Sequence, residues 1–166
     1  MSLKDAHFHM IAGVSDGAFG SPVADAIGTE AISDVVSMAK YNKCYFVVMQ
    51  AVGTAGTMSL VVTPCDNATP SNTTTNIPFR YKNITTPDTN GAWIQATSDT
   101  YTTTAGSHQL WIIEVNADDL PLVSGVKYEY VKLLATAVDS TAVLAGCIII
   151  MDEPRYAQDV SETVTA

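Results

Sequence analysis

The stretch His108-Gln109-Leu110-Trp111-Ile112-Ile113-Glu114-Val115-Asn116, broken at once by Ala117-Asp118-Asp119-Leu120-Pro121, decides the fold class. Aromatic and β-branched residues crowd a run too short for a helix, and the break supplies turn chemistry or a short 3₁₀ piece. The same grammar recurs in both directions. Upstream, Thr29–Met38 alternates loosely and allows a first strand or a short helix. Lys43–Ala51 is dense in strand formers, Gly53-Thr54-Ala55-Gly56 reads as a turn, and Thr57–Thr63 reads as a second strand completing a hairpin. A polar loop follows over residues 64–76. Ile77–Lys82 is a strand whose Pro78 suits an edge, and Pro87-Asp88-Thr89-Asn90-Gly91 is a turn. Ala92–Thr97 is a strand, and Ser98–Ser107 has room for a short one. Downstream, Val126–Ala137 alternates as a half-exposed strand, and Leu144–Met151 is continuously apolar, as a strand buried on both faces would be.

About seven to nine short strands with turns between them, and no long amphipathic helix, predict an all-β fold. The expected form is an antiparallel β-sandwich, with a jelly roll among the arrangements allowed. Three segments are expected: an extended N-terminal arm over 1–28, a β-sandwich domain over 29–156, and a polar C-terminal tail over 157–166. The arm is rich in Gly, Ala and Ser, has no sustained period, and suits ordering against a partner.

The chain has 166 residues, 47% of them hydrophobic and 15% charged, with a net charge of −9. That is enough chain to bury a core without a metal or a disulfide. The acidic balance makes the chain a poor candidate for gripping phosphate backbones or docking on anionic membranes, so neither nucleic acid nor membrane is an expected partner. No apolar run is long enough to span a bilayer as a helix, and no leader is expected from Met1-Ser2-Leu3-Lys4-Asp5. Cys44, Cys65 and Cys147 form no CxxC pair, and the set suits a reducing cytosol. Cys44 and Cys147 are expected to be buried; Cys65, after Pro64 at the head of the polar loop, is expected to be exposed. Asn-X-Thr sequons at Asn67, Asn72 and Asn83 are read as products of a Thr-rich sequence.

Candidate chemistry is sparse. His7 and His9 share one face of an extended segment, but no third metal ligand can be assigned. His108 lacks a placed nucleophile or orienting carboxylate. Asp118-Asp119 and Asp152-Glu153 read as turn and strand-end carboxylates rather than a calcium or acid/base site. Gly53-Thr54-Ala55-Gly56 lacks the Lys and helix of a phosphate loop. Trp93, Tyr101, Trp111, Tyr128 and Tyr130 allow a sugar platform, though strand aromatics are more often core or cross-strand pairs. No catalytic, cofactor-binding or metal-binding residue is therefore assigned. Thr73-Thr74-Thr75 and Thr102-Thr103-Thr104 keep strand faces soluble with little charge, as suits a surface that packs on other proteins.

One resemblance adds to this. The stretch 108–120, then Gly125-Val126-Lys127-Tyr128 and Tyr130-Val131-Lys132-Leu133, then Ala145-Gly146-Cys147-Ile148-Ile149-Ile150-Met151 closing on Glu153-Pro154-Arg155-Tyr156, is similar to small virion proteins of tailed bacteriophages encoded near the major capsid protein. The match spans 29–156, and its specific part is 108–156. The resemblance implies a non-enzymatic virion structural protein at the capsid surface, assembled in the bacterial cytoplasm, that decorates or cements capsomers. The implied partners are the major capsid protein and further copies of the chain, a trimer being favoured. A head–tail connector or tail protein is the alternative, and a carbohydrate-binding β-sandwich or a cupin-like enzyme lies further off. No functional residue is carried over.

Overall fold

The computed structural model describes residues 9–12, 27, 30–51, 56–87, 89–141 and 143–155. In chain order the strands are β1 (His9–Ala12), β2 (Glu30–Ile32), β3 (Val36–Ser37), β4 (Tyr41–Gln50), β5 (Met58–Cys65), β6 (Arg80–Ile84), β7 (Ile94–Gln95), β8 (Tyr101–Thr102), β9 (Gln109–Asn116), β10 (Leu122–Val123), β11 (Val126–Lys127), β12 (Tyr130–Ala137) and β13 (Ala145–Pro154). A 3₁₀ turn, Ala117–Asp119, follows β9.

The strands form an antiparallel sandwich. One sheet runs β1-β13-β4-β9-β6-β7; the other runs β2-β12-β5-β8, with β3 also paired to β12. The runs β1-β13-β4-β9 and β2-β12-β5-β8 alternate the chain between sheets as nested Greek keys do, which is the jelly-roll order. Strands β6 and β7, inserted between β5 and β8, widen the first sheet.

Alternation sets the layers. Cys44, Phe46 and Val48 on β4, Trp111, Ile113 and Val115 on β9, and Cys147, Ile149 and Met151 on β13 point inward from one sheet. Met58, Leu60 and Val62 on β5 and Val131, Leu133 and Ala135 on β12 meet them from the other. All are buried in one continuous cluster. Tyr81 and Tyr101 close the β6/β8 side, their rings stacked at 3.8 Å between centroids.

Several sequence expectations are corrected. Thr29–Met38 is not one strand: Ser33-Asp34-Val35 separates β2 from β3, and the Ser33 hydroxyl accepts a hydrogen bond from the Leu133 amide at 2.9 Å. The expected hairpin of residues 43–51 with 57–63 does not form. β4 lies between β13 and β9, while β5 lies between β12 and β8 in the opposite sheet. Each strand buries one apolar face, and the two faces meet across the core rather than side by side. The glycine-bearing connection is a crossover between layers, fastened where Ala51 N–H donates to Leu144 at 2.9 Å. β13 is buried on one face only: Ile148 and Ile150 are partly exposed, because the second sheet covers just the opposite side. The strand expected over 126–137 breaks after Lys127, and its first part returns against β10 as a hairpin turned at Ser124 and Gly125. Both turn residues have positive φ, as a tight hairpin turn between right-twisted strands requires.

Cys65 is buried, not exposed. β5 continues through Pro64 and pairs Cys65 with Tyr130. The polar loop behind it is held by Asp66, which accepts from the Ser71 hydroxyl and from the Asn72 amide and side chain at 2.8–3.2 Å. Part of the expected arm is in the fold: His9–Ala12 pairs with Ile148–Met151, and Ile27 is a core residue. The rest of the arm and the tail lie outside the described residues.

Candidate functional site

The residues that pack the core leave their neighbours on the outer face of the first sheet. Register places these in rows. Ile148, Val47, Ile112 and Lys82 form one row; Gly146, Met49, Leu110 and Ile84 form the next; Ile150, Tyr45, Glu114 and Arg80 form the third. The apolar members, Val47, Met49, Leu110, Ile112, Ile148 and Ile150, are partly exposed. Solvated antiparallel faces ordinarily carry polar residues at such positions. This one is apolar at its centre.

The third row holds the strongest electrostatics. Glu114 is 3% exposed although it points outward. Arg80 covers it, donating from Nε to Oε1 at 2.9 Å, with a second guanidinium nitrogen on the same oxygen. The Tyr45 hydroxyl donates to Oε2 at 3.1 Å, and Lys43 Nζ lies 3.9 Å from that oxygen. Lys43 also pairs with Glu153 at 2.7 Å. Trp93 folds over this group, 6.4 Å from Tyr45, with Arg80 and Lys82 at 5.8 and 5.7 Å from its ring centroid. A carboxylate taken out of water is tolerated only when it is paired in this way. Burial, and then the Glu114 charge, push the Tyr45 hydroxyl well above its ordinary range. The Glu114 hydrogen bonds raise Arg80, and the Glu153 hydrogen bond raises Lys43.

Asp118 and Asp119 are exposed on the 3₁₀ turn, where the Asn116 side chain donates to Asp119 at 3.3 Å. With Asn42, Lys43, Asn116 and Glu153 they line a cleft of about 330 Å³. Among the described residues no group of three or more His, Cys, Asp or Glu is placed to hold a metal. His7 lies outside the described residues; His9 lies on β1, opposite Met151. His108 is exposed, with its backbone in the left-handed region. Asp152 accepts from the Glu153 amide at 2.7 Å.

The candidate aromatics separate. Trp111 is fully buried. Tyr101 stacks on Tyr81 at the rim of the core; burial raises its hydroxyl, with Trp111 and Asn83 opposing. Trp93 is 39% exposed, but its plane is tilted 42° from Tyr45. Tyr128 and Tyr130 are half-buried near the β10–β11 hairpin and β12.

The buried Glu114 and its ring of partners were missed by the sequence reading. The available signal was one carboxylate in phase with Leu110 and Ile112 inside an otherwise apolar strand. Its partner Arg80 lies 34 residues away, and only the β6–β9 pairing joins them.

No protein-family description matches the chain, and no curated protein matches it. Among solved structures, a non-crystalline-cellulose-specific carbohydrate-binding module, CBM28, is similar at 16% identity over 74% of this chain, with a TM-score of 0.31. The chain spans 60% of that structure's length. A likeness of this size carries no argument about function.

Proposed function

We propose that the chain is a non-enzymatic bacteriophage virion structural protein that decorates or cements the capsid surface by bridging capsomers, with the major capsid protein as its partner. The observation that carries this reading is the apolar outer face of the first sheet, centred on Val47, Ile112 and Ile148. Apolar rows on a sheet face, bordered by a satisfied ion-pair group, suit packing against another protein surface. The jelly roll is used by viral shells and also by lectins and cupins, so the fold alone does not choose among them. The resemblance of residues 108–156 to small virion proteins of tailed bacteriophages, carried by the sequence, supports the virion reading. Many modest contacts repeated by shell symmetry would add up to strong cementing.

The test is add-back. Heads lacking the chain are mixed with purified wild-type protein or with Ile112→Lys, a change on the outer face rather than in the core. The proposal expects wild type to bind and raise the heat resistance of the heads, and Ile112→Lys to fold but bind at least ~10-fold more weakly, about 1.4 kcal/mol. Equal heat resistance with and without the chain contradicts cementing.

A further inference from the structure

Between β6 and β7 the chain carries Asn90-Gly91, its one asparagine that precedes a glycine. Asn42, Asn67, Asn72, Asn76, Asn83 and Asn116 precede Lys, Ala, Thr, Ile, Ile and Ala in turn. An asparagine side-chain carbonyl is open to attack by the main-chain nitrogen of the next residue, and glycine, with no Cβ, hinders that approach least. Asn90 is exposed, so water reaches it. Gly91 is held. Its N–H donates to the Asn83 carbonyl oxygen at 3.1 Å. A Cβ at position 91 would fall 2.6 Å from that oxygen and 2.7 Å from Asn83 Oδ1. The close approach that requires glycine therefore also ties up the nitrogen that would attack. The limb is fastened on both sides of this contact: Thr89 N–H donates to Thr86 at 3.2 Å, and Ala96 N–H donates to Phe79 at 3.0 Å. Trp93, two residues past Gly91, lies against Tyr45 on the neighbouring strands.

We infer that Asn90 is a site of spontaneous deamidation, gated by the Gly91–Asn83 hydrogen bond. The Gly91 amide nitrogen, its proton lost to hydroxide, attacks Asn90 Cγ. The N–Cγ bond forms, the Cγ–Nδ2 bond breaks, and the side-chain nitrogen takes a proton from water and leaves as ammonia. Water then opens the cyclic imide at either carbonyl, giving aspartate or isoaspartate; nothing is oxidised or reduced. While the hydrogen bond lasts, the Gly91 nitrogen is neither deprotonated nor free to swing onto Cγ. Reaction needs the limb that carries Gly91 to lift off β6, a local opening short of global unfolding. Isoaspartate carries one more main-chain carbon than asparagine, so the product no longer matches the spacing between Gly91 and Asn83, and each opening that leads to reaction is recorded covalently. This chemistry needs no partner, so its test is independent of the virion reading.

The full-length chain is incubated at pH 8, folded and in guanidinium chloride, and its peptides are followed by the mass gain of amide to acid. Hydrogen exchange at the Gly91 amide is read in parallel on the folded chain. In denaturant, Asn90 is expected to convert at least tenfold faster than any other asparagine. In the folded chain its rate is expected to fall at least tenfold, with Gly91 protected from exchange to a similar degree. Trp93→Ala, at a partly exposed position, removes a side chain that anchors the limb. It is expected to raise both the folded deamidation rate and Gly91 exchange at least threefold, with the denatured rate and the circular dichroism unchanged. If Asn90 converts no faster than the other asparagines in denaturant, the site is overturned. Equal folded and denatured rates, an unprotected Gly91 amide, or a folded Trp93→Ala chain in which the two rates do not rise would overturn the gate.

Discussion

Arg80 donates from Nε to Oε1 of Glu114 at 2.9 Å across the β6–β9 pair, on the outer face of the sheet rather than in the core. Removing the guanidinium strands a nearly buried carboxylate with only the Tyr45 hydroxyl and a distant Lys43 ammonium. Arg80→Ala is expected to cost about 1–3 kcal/mol in urea unfolding, the range for an unsatisfied buried polar group, softened by the exposure of the arginine itself. Glu114→Gln keeps the shape and removes the charge, and is expected to cost less. An Arg80→Ala chain as stable as wild type would remove the ion pair from the account of this face.

Gly56 marks where the chain crosses between sheets. A Cβ there would sit 2.5 Å from the Thr141 carbonyl oxygen and 2.6 Å from a Val143 methyl, and backbone cannot swing away as a flexible side chain can. Gly56→Ala is expected to destabilise by about 1–3 kcal/mol through overpacking. Thermal unfolding checks this, and an unchanged midpoint would contradict the crossover geometry.

Stability is expected to fall at both ends of the pH range. Asp66, held by Asn72 and Ser71, and Asp139, held by Thr57 and Thr141, have carboxyls lowered below their ordinary 3.8. Their contribution is present above pH 3.8 and is lost as pH falls through the lowered folded values. At the alkaline end, Lys43 is raised above 10.5 by Glu153, so its contribution is lost as pH rises through that folded value. Tyr45 is raised above 10 by burial, so the unfolded chain ionises first and stability falls above pH 10. Melting midpoints across pH, with Asp66→Asn expected to flatten the acid limb, test the signs.

All three thiols are buried, and burial raises each of them. At pH 8 a thiol reagent is expected to label none of them quickly in the native chain and all of them after unfolding. Rapid labelling of Cys65 alone would return it to the exposed position that its place beside a polar loop suggests.

Sheet-forming segments were legible because alternation is local. Phe46 and Val48, or Trp111 and Ile113, announce an inward face wherever the strand pairs. Layer assignment was not legible, since nothing near Gly53-Thr54-Ala55-Gly56 distinguishes a hairpin from a crossover; the choice depends on β12 and β13, more than 70 residues downstream. The apolar run of β13 suggested burial on both faces because its outward residues, Ile148 and Ile150, are as apolar as its inward ones. That mismatch is the signal of the outer face. The ion-pair group on it joins residues from β4, β6, β9 and β13, and only strand pairing assembles it.

We propose that this chain is a component of a virion head. The most direct measurement is its copy number in purified particles, relative to the major capsid protein. A near-stoichiometric ratio is expected, as a protein repeated over the lattice requires. A dozen or fewer copies would move it to the neck or tail, and absence from particles would contradict the virion assignment altogether.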